Sequence, residues 1–287
     1  MTISTPLCAR VSLFDMYEAA VQSPSVDVDA IVRICDEELA MTPQSLKEDF
    51  SGTGYISATF LEQFPNAIAV GLDLDEVSMK HGRRKHFQAN SQLDSRMTFV
   101  KQDVLNPSTK AMPVDRFSVI FGGNYSFFVF KKRTMLLDYF KTARSMLDET
   151  GSVFILEVMG GPNCQIIAED EPRGCEVDGV DFDFIWRQSN YNPVTNELMA
   201  HIDFEFPDGS SISPAFSYDW RFWSVPEIRE AMEEAGFSRT VVYWASLYEE
   251  FEDGLTADHY SRTTDGRGID QAEAWLAYVV GVVEPTP

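Results

Sequence analysis

Bases are scarce in this chain: 23 Lys and Arg stand against 45 Asp and Glu over 287 residues, a formal charge of −22. Holding a polyphosphate needs clustered cations that displace counterions, so no nucleic acid is expected as a partner, and no anionic membrane surface either. Cysteine is equally sparse. Cys8, Cys35, Cys164 and Cys175 have neither C-x-x-C spacing nor a neighbouring His pair, so they read as reduced thiols, with no metal site and no disulfide frame. No apolar run is long enough to span a bilayer. The N-terminal MTISTPLCARVSLFDMYEAA lacks a secretory apolar core, and the expected location is cytoplasmic. Repeats and low-complexity segments are absent. What the chain does have is apolar mass, 44% hydrophobic and 13% aromatic residues, enough to pack a full α/β core.

The apolar pattern sets out the elements. Leu13–Val21 and Val28–Leu39 carry helical stripes, with Asp27 as the expected cap of the second and Asp15 and Glu18 on a solvated side of the first. Leu46–Phe50 is a short, polar strand. It runs through Gly52-Thr53-Gly54 into a helix that ends near Pro65. Ala67–Leu74 is a nearly all-apolar strand of the kind covered on both faces. A helix over Asp75–Ala89 bears the cluster His81–His86, read as a solvated cationic face. Strands follow at Met97–Lys101, Arg116–Gly122 and Ser152–Val158, with a helix over Lys132–Leu147. This alternation predicts a parallel, doubly wound sheet. After Pro162 the period changes to two. Val177–Tyr191, Glu197–Phe206 and Ser211–Trp223 predict an antiparallel meander. A helix over Val225–Ala235, with Ser224 as cap, Pro226 in its first turn and Gly236 as stop, leads to the strands Arg239–Ala245 and Trp275–Val283. Between those strands lie an acidic loop, Tyr248–Gly254, and a polar loop, Thr256–Gly268.

In a doubly wound sheet a ligand binds beyond the carboxyl ends of the strands, where strand order reverses. Those ends carry Gly52 and Gly54 after the first strand, Asp73 after the second, Asp103 after the third and Asn124 after the fourth. A carboxylate about 20 residues past the glycine turn suits the two hydroxyls of a ribose. An acid after the third strand suits an exocyclic amine. The turn lacks the full G-x-G-x-x-G, which fits a ligand with one nucleoside and no pyrophosphate and disfavours a nicotinamide oxidoreductase.

These residues resemble the class I S-adenosylmethionine-dependent methyltransferases, over Leu46–Val158 and again from Val225. The segment E-D-F-S-G-T-G is similar to the family's first motif, with Phe50 where another glycine is common. Tyr17–Gln22 (Y-E-A-A-V-Q) and Tyr218–Trp223 (Y-D-W-R-F-W) resemble two further segments of one subfamily. The resemblance implies a Rossmann-like three-layer αβα sandwich: a mostly parallel seven-stranded sheet with an antiparallel last strand, plus an inserted antiparallel β meander. It implies a single domain over 1–287, made of a helical cap (1–45), a core (46–160 and 225–284) and the meander (161–224). It also implies S-adenosylmethionine as donor and S-adenosylhomocysteine as product. Glu48 would then hold the methionine part, Asp73 the ribose and Asp103 the adenine amine, with Tyr17, Gly52, Thr53, Gly54, Leu74 and Val104 beside the donor and Asn124 near the transferring methyl.

The expected acceptor is a small molecule, and the meander is either the wall of its site or a homodimer contact. Tyr125, Trp186, Arg187, Tyr191, Tyr218 and Arg221 are the candidate acceptor contacts, since rings surround cations and guanidinium groups pair carboxylates. Asn124, Glu157 and His201 are the catalytic candidates, the last two as bases. Two alternatives keep the nucleoside site: aminopropyl transfer from a decarboxylated donor, and a non-catalytic partner subunit with a vestigial site.

Overall fold

A computed structural model describes residues 5–246, 255–269 and 272–285; the acidic loop expected at Tyr248–Gly254 lies outside them. In chain order the elements are α1 (Leu13–Val21), α2 (Pro24–Leu39), β1 (Ser45–Asp49), α3 (Tyr55–Gln63), β2 (Ile68–Asp73) and α4 (Glu76–Gly82), which continues as a π-helical turn over Arg83–Phe87. Next come α5 (Ser91–Asp94), β3 (Met97–Lys101), β4 (Val119–Gly122), α6 (Arg133–Ser145) and β5 (Ser152–Gly160). The strands β6 (Ala168–Glu169), β7 (Arg173–Val177), β8 (Val180–Asn192), β9 (Glu197–Glu205) and β10 (Ser211–Arg221) follow. The chain closes with α7 (Val225–Ala235), β11 (Arg239–Ser246), β12 (Ser261–Thr263) and β13 (Trp275–Val283). Two compact units divide these elements: a larger one of Pro24–Phe127, Lys132–Gly161 and Trp223–Pro287, and a smaller one of Met1–Ser23, Phe128–Lys131 and Pro162–Phe222.

The larger unit is built on a sheet of order β12-β11-β13-β5-β4-β1-β2-β3. Strands β1 to β5 run parallel, and β13 is antiparallel to both β5 and β11. This is the expected seven-stranded arrangement with its antiparallel last strand, extended by an eighth strand at the edge. The polar loop expected over Thr256–Gly268 contains that eighth strand. Its three residues have no apolar signature; they are strand because they pair with Val242–Trp244 and because Arg262 is tied down. Arg262 reaches Glu38 of α2 at 2.6 and 3.0 Å, Tyr243 donates to the same carboxylate at 2.8 Å, and Arg239 also pairs with it.

Helices cover both faces of this sheet. On one, Ile31 and Ile34 of α2 and Ile56 and Phe60 of α3 bury Leu46, Val119, Ile155 and Val280. On the other, Tyr139 and Phe140 of α6 pack edge-on against Phe154 of β5 at 5.5 and 5.6 Å, and Phe237 stacks on Phe154 at 5.7 Å. The α7 capping box forms as its sequence requires: Ser224 and Glu227 exchange side chain-to-backbone hydrogen bonds, and Gly236 ends the helix at φ +96°.

Strand β1 reads as polar because its two faces bury different charged groups. Lys47 and Asp49 point to one side, almost fully enclosed, and pair with each other, while Tyr139 donates to Asp49 at 3.0 Å. Glu48 points to the other side. A second departure from the sequence reading lies at α2, which begins at Pro24 rather than Val28. Asp27 is therefore no cap. It sits inside the first turn, 8% exposed, and accepts a hydrogen bond from Tyr278 of β13 at 2.7 Å.

The smaller unit is an antiparallel sheet of order β10-β9-β8-β6, with β7 also paired to β8. Its apolar face buries Phe182, Ile202, Phe204 and Phe206 with Met16 and Ala20 of α1. Glu18 of α1 is buried as well, not solvated. The single strand expected over Val177–Tyr191 is really the end of a hairpin plus a long strand. Asp178 and Gly179 turn the chain at φ +52° and +76°, as an Asp-Gly pair does in a two-residue hairpin.

Candidate functional site

The strand order reverses at β1, which lies between β4 and β2, while the chain steps from β1 outward to β3 on one side and from β4 to β5 on the other. Register sets the carboxyl ends side by side. Asp49 pairs with Leu72, so Asp73 follows directly on the neighbouring strand. Asp73 in turn pairs with Lys101, two residues before Asp103. Glu48, Asp73 and Asp103 thus stand on three adjacent strands at one edge of the same unit.

The turn after β1 is left-handed at three points: Phe50 at φ +57°, Gly52 at +52° and Gly54 at +69°. Phe50 takes a conformation that glycine adopts without strain, and its ring rests against Tyr139 at 5.8 Å. A Cβ on Gly52 would meet nothing within 4 Å, so that side of the turn is open. The other side is closed. A Cβ on Gly54 would lie 2.7 Å from the Phe99 ring, and one on Gly82 only 1.7 Å from the Thr53 carbonyl oxygen. In the sequence Gly82 is only one member of a basic cluster. It is the surface on which the glycine turn rests, while His86 stacks on Tyr55 at 4.5 Å and Arg83 reaches Asp94 at 3.0 Å. Gly82→Ala drives a methyl into a backbone oxygen that has no rotamer to escape into. The expected cost is about 1–3 kcal/mol, read as a lower urea midpoint; an unchanged midpoint would show that the turn gives way freely.

Asp73 is fixed through both carboxyl oxygens, Oδ2 accepting from the Gly52 amide at 2.7 Å and Oδ1 from the Asp75 amide at 2.8 Å. It is not the cap of α4; Asp75 is, accepting from the Val77 amide at 2.9 Å. Each Asp73 oxygen keeps acceptor capacity for a further donor. Leu74 beside it is 63% exposed, an apolar side chain left uncovered next to the carboxylate. Asp103 is exposed and accepts from the Leu105 amide at 2.9 Å, and Val104 is buried beneath it.

Glu48 is 2% exposed. Its Oε2 takes both the amide and the hydroxyl of Ser57 in the first turn of α3. Burial pushes its carboxyl up to about 8, the Asp27 and Asp73 carboxylates add to the rise, and Ser57 opposes it. Glu157 of β5 retains partial exposure as a residue, yet its carboxyl is enclosed near Asn124, Tyr125 and Asp27, and this loss of water pushes it up to about 8 as well. Burial likewise lifts Asp27 to about 6 against the pull of Tyr278. Tyr260 joins the group, its ring 4.7 Å from that of Tyr278. Asp27, Tyr260 and Tyr278 come from three segments far apart in the chain, and no local motif marks them.

These acids set a pH dependence. Between roughly pH 4.5 and 8 the folded chain holds protons on Glu48 and Glu157 that the unfolded chain has released, so stability falls as pH rises through that window and levels above it. Urea midpoints at pH 5, 6.5 and 8 are expected to decline in that order, with Glu48→Gln showing a shallower decline. A rise toward pH 8 would contradict the burial of these groups.

The meander candidates separate. Residues directly opposite each other in an antiparallel sheet share a face. The pairs Trp186–Ile202, Ala200–Tyr218 and Tyr191–Leu198 put Trp186, Tyr191 and Tyr218 on the face of the apolar core. The pairs Arg187–His201, His201–Ser217 and Arg221–Glu197 put Arg187, His201 and Arg221 on the other. One wall therefore does not present all six. Arg187 is engaged by Asp203 at 2.8 and 3.0 Å, Arg221 donates to the Lys131 carbonyl at 2.9 Å, and both His201 nitrogens lie within 3.1 Å of Ser217 or Ser189 hydroxyls. Tyr17 belongs to this smaller unit, its ring 4.9 Å from Phe216. Among the described residues no group of three or more His, Cys, Asp or Glu is arranged to hold a metal, and no helix is long and apolar enough to cross a membrane.

No protein-family profile matches the chain, and no curated protein sequence does. Solved structures do. The chain is similar to DesVI of Streptomyces venezuelae, with a TM-score of 0.66 at 15% identity over 99% of this chain and 100% of that one. An S-adenosylmethionine-dependent methyltransferase from Clostridium acetobutylicum gives 0.64 at 15% identity, over 92% and 95%. CalS10, an amino pentose methyltransferase from Micromonospora echinaspora solved with its S-adenosylmethionine bound, gives 0.61 at 12% identity, over 97% and 98%. Sheet order, strand directions and these whole-length matches agree: the chain has the fold of the class I S-adenosylmethionine-dependent methyltransferases.

Proposed function

We propose that the chain is an enzyme that transfers the methyl group of S-adenosylmethionine to a small-molecule acceptor. The observation that carries the reading is Asp73, held by the Gly52 and Asp75 amides at the tip of β2 with lone pairs to spare and the open side of Gly52 beside it. That pair of acceptor oxygens fits the two hydroxyls of a ribose. The exposed Leu74 fits the plane of a base, and Asp103 an exocyclic amine. Glu48, with Oε2 committed to Ser57, offers its other oxygen to the donor's ammonium group, and the arrival of that cation favours release of the proton that burial keeps on the empty site's carboxyl. The bound donor supplies a sulfonium methyl open to in-line attack. The protein's share is alignment and the exclusion of water, a contribution of up to roughly 7–11 kcal/mol.

A neutral amine is the acceptor we favour. The amino pentose methyltransferase among the matched structures supports it, and so does the state of the two base candidates. Glu157, lifted to about 8, holds its proton at neutral pH, and His201 is bracketed by serines on the polar face of the smaller sheet. A neutral amine attacks without surrendering a proton first, so neither is required. Titration calorimetry with S-adenosylmethionine and S-adenosylhomocysteine tests the reading. Binding of both at one site is expected, and binding of neither would discard it.

A further inference from the structure

The turn after β4 sets two consecutive residues other than glycine, Asn124 and Tyr125, at φ +50° and +56°. Such a pair persists only where the surroundings impose it. One side chain meets both. Oε2 of Glu157, one strand over in β5, accepts the Asn124 amide at 2.6 Å, and the Tyr125 side chain hydrogen-bonds to the same carboxyl. The ionisable groups acting on Glu157 from its other neighbours are Asp27 of α2, Tyr278 paired opposite it on β13, and Tyr260 ahead of β12. The Tyr278 hydroxyl is spent on Asp27 at 2.7 Å and Tyr260 hydrogen-bonds with Tyr278, so the hydrogen bonds that draw on the Glu157 oxygens come from the turn.

We infer that Glu157 is a positioning residue, whose carboxyl clamps Asn124 and Tyr125 in the left-handed turn at the mouth of the strand ends, rather than a general base. The clamp itself is independent of what binds there; its consequence for donor binding rests on the methyltransferase reading. Held this way, Asn124 keeps its place at the end of β4, on the strand next to the one that runs into the glycine turn. Released, the pair relaxes toward ordinary backbone and the site loses one side.

The first test is hydrogen exchange at the Asn124 amide, followed by NMR. Glu157→Gln keeps a carbonyl acceptor, so protection should stay within about threefold of the parent; Glu157→Leu fills the same space without an acceptor, so exchange should quicken at least about tenfold. Tyr125→Phe removes one donor and should lie between them. Unchanged exchange in Glu157→Leu overturns the clamp, whether or not any nucleoside binds. Should that variant fail to fold, Tyr125→Phe decides, and exchange equal to the parent overturns it.

Binding of S-adenosylhomocysteine is the second readout. Glu157→Leu should weaken it by roughly tenfold, and adding Tyr125→Gly should restore most of the loss, because glycine takes the left-handed conformation freely. A base would behave otherwise: Glu157→Gln would bind normally and lose turnover, and that result overturns the assignment. No binding by the parent protein would sink the methyltransferase reading alone, with the exchange data still deciding the clamp.

Discussion

Asp49→Leu is expected to destabilise the protein by roughly 3–5 kcal/mol, because it leaves the Lys47 ammonium inside the sheet with no counter-charge. Both side chains are almost completely buried on the face of β1 that meets α6. Burial alone would drive the Asp49 carboxyl upward, and it does so here against the opposing pull of Lys47 and Tyr139. The same substitution also strips Tyr139 of its acceptor. A cycle separates these effects. Lys47→Met with Asp49→Leu replaces the ion pair by apolar groups and should recover most of the loss, because desolvating two charges nearly cancels their attraction. What remains, about 1–3 kcal/mol, belongs to the orphaned phenol, and Tyr139→Phe should remove it. Chemical denaturation of the three variants and the parent checks the series. A double variant no more stable than Asp49→Leu would mean that the pair specifies the fold rather than merely tolerating its burial.

Asp73→Ala is expected to weaken S-adenosylhomocysteine binding at least roughly 100-fold. Two hydrogen bonds to a charged acceptor are lost, each worth about 1.5–3 kcal/mol, and the Gly52 amide loses the acceptor that fixes the turn. Asp73→Asn keeps an acceptor for that amide and should lose only about tenfold, since its charge and part of its acceptor capacity are gone. Asp73→Ala should also unfold more easily than Asp73→Asn by about 0.5–1.5 kcal/mol, the worth of the amide acceptor that only Asn keeps, while the α4 cap at Asp75 is intact in both. Equal affinities for the parent and Asp73→Ala would place the ligand elsewhere and support a vestigial site.

Much of the fold was legible because strands covered on both faces leave an apolar signal of their own, whichever way they run. The parallel strand Ile68–Asp73 and the antiparallel strand Trp275–Val283 both carry that signal almost to the residue. The strand-end acids were legible through spacing: in this fold a carboxylate follows the glycine turn by one helix and one strand. Partnerships that join distant segments were not. Asp27 looked like a cap because its neighbours suit a helix start, and only the approach of Tyr278, 251 positions away, makes it a buried acid. Gly82 was hidden among cations. Its role depends on how closely α4 approaches Thr53, and no local pattern records that distance. In the meander, the rings and guanidinium groups were legible as residue types and their facing was not. An unread Asp178-Gly179 turn and the register shift between Gln188 and Asn190 decide which side each residue takes.

A crystal structure of the protein grown with S-adenosylhomocysteine tests the central claim most directly. The account predicts the ribose hydroxyls on the two oxygens of Asp73, the methionine part beside Glu48 and the open side of Gly52 facing the ligand. A nucleoside bound away from these strand ends, with Asp73 making only its Gly52 and Asp75 contacts, would contradict it.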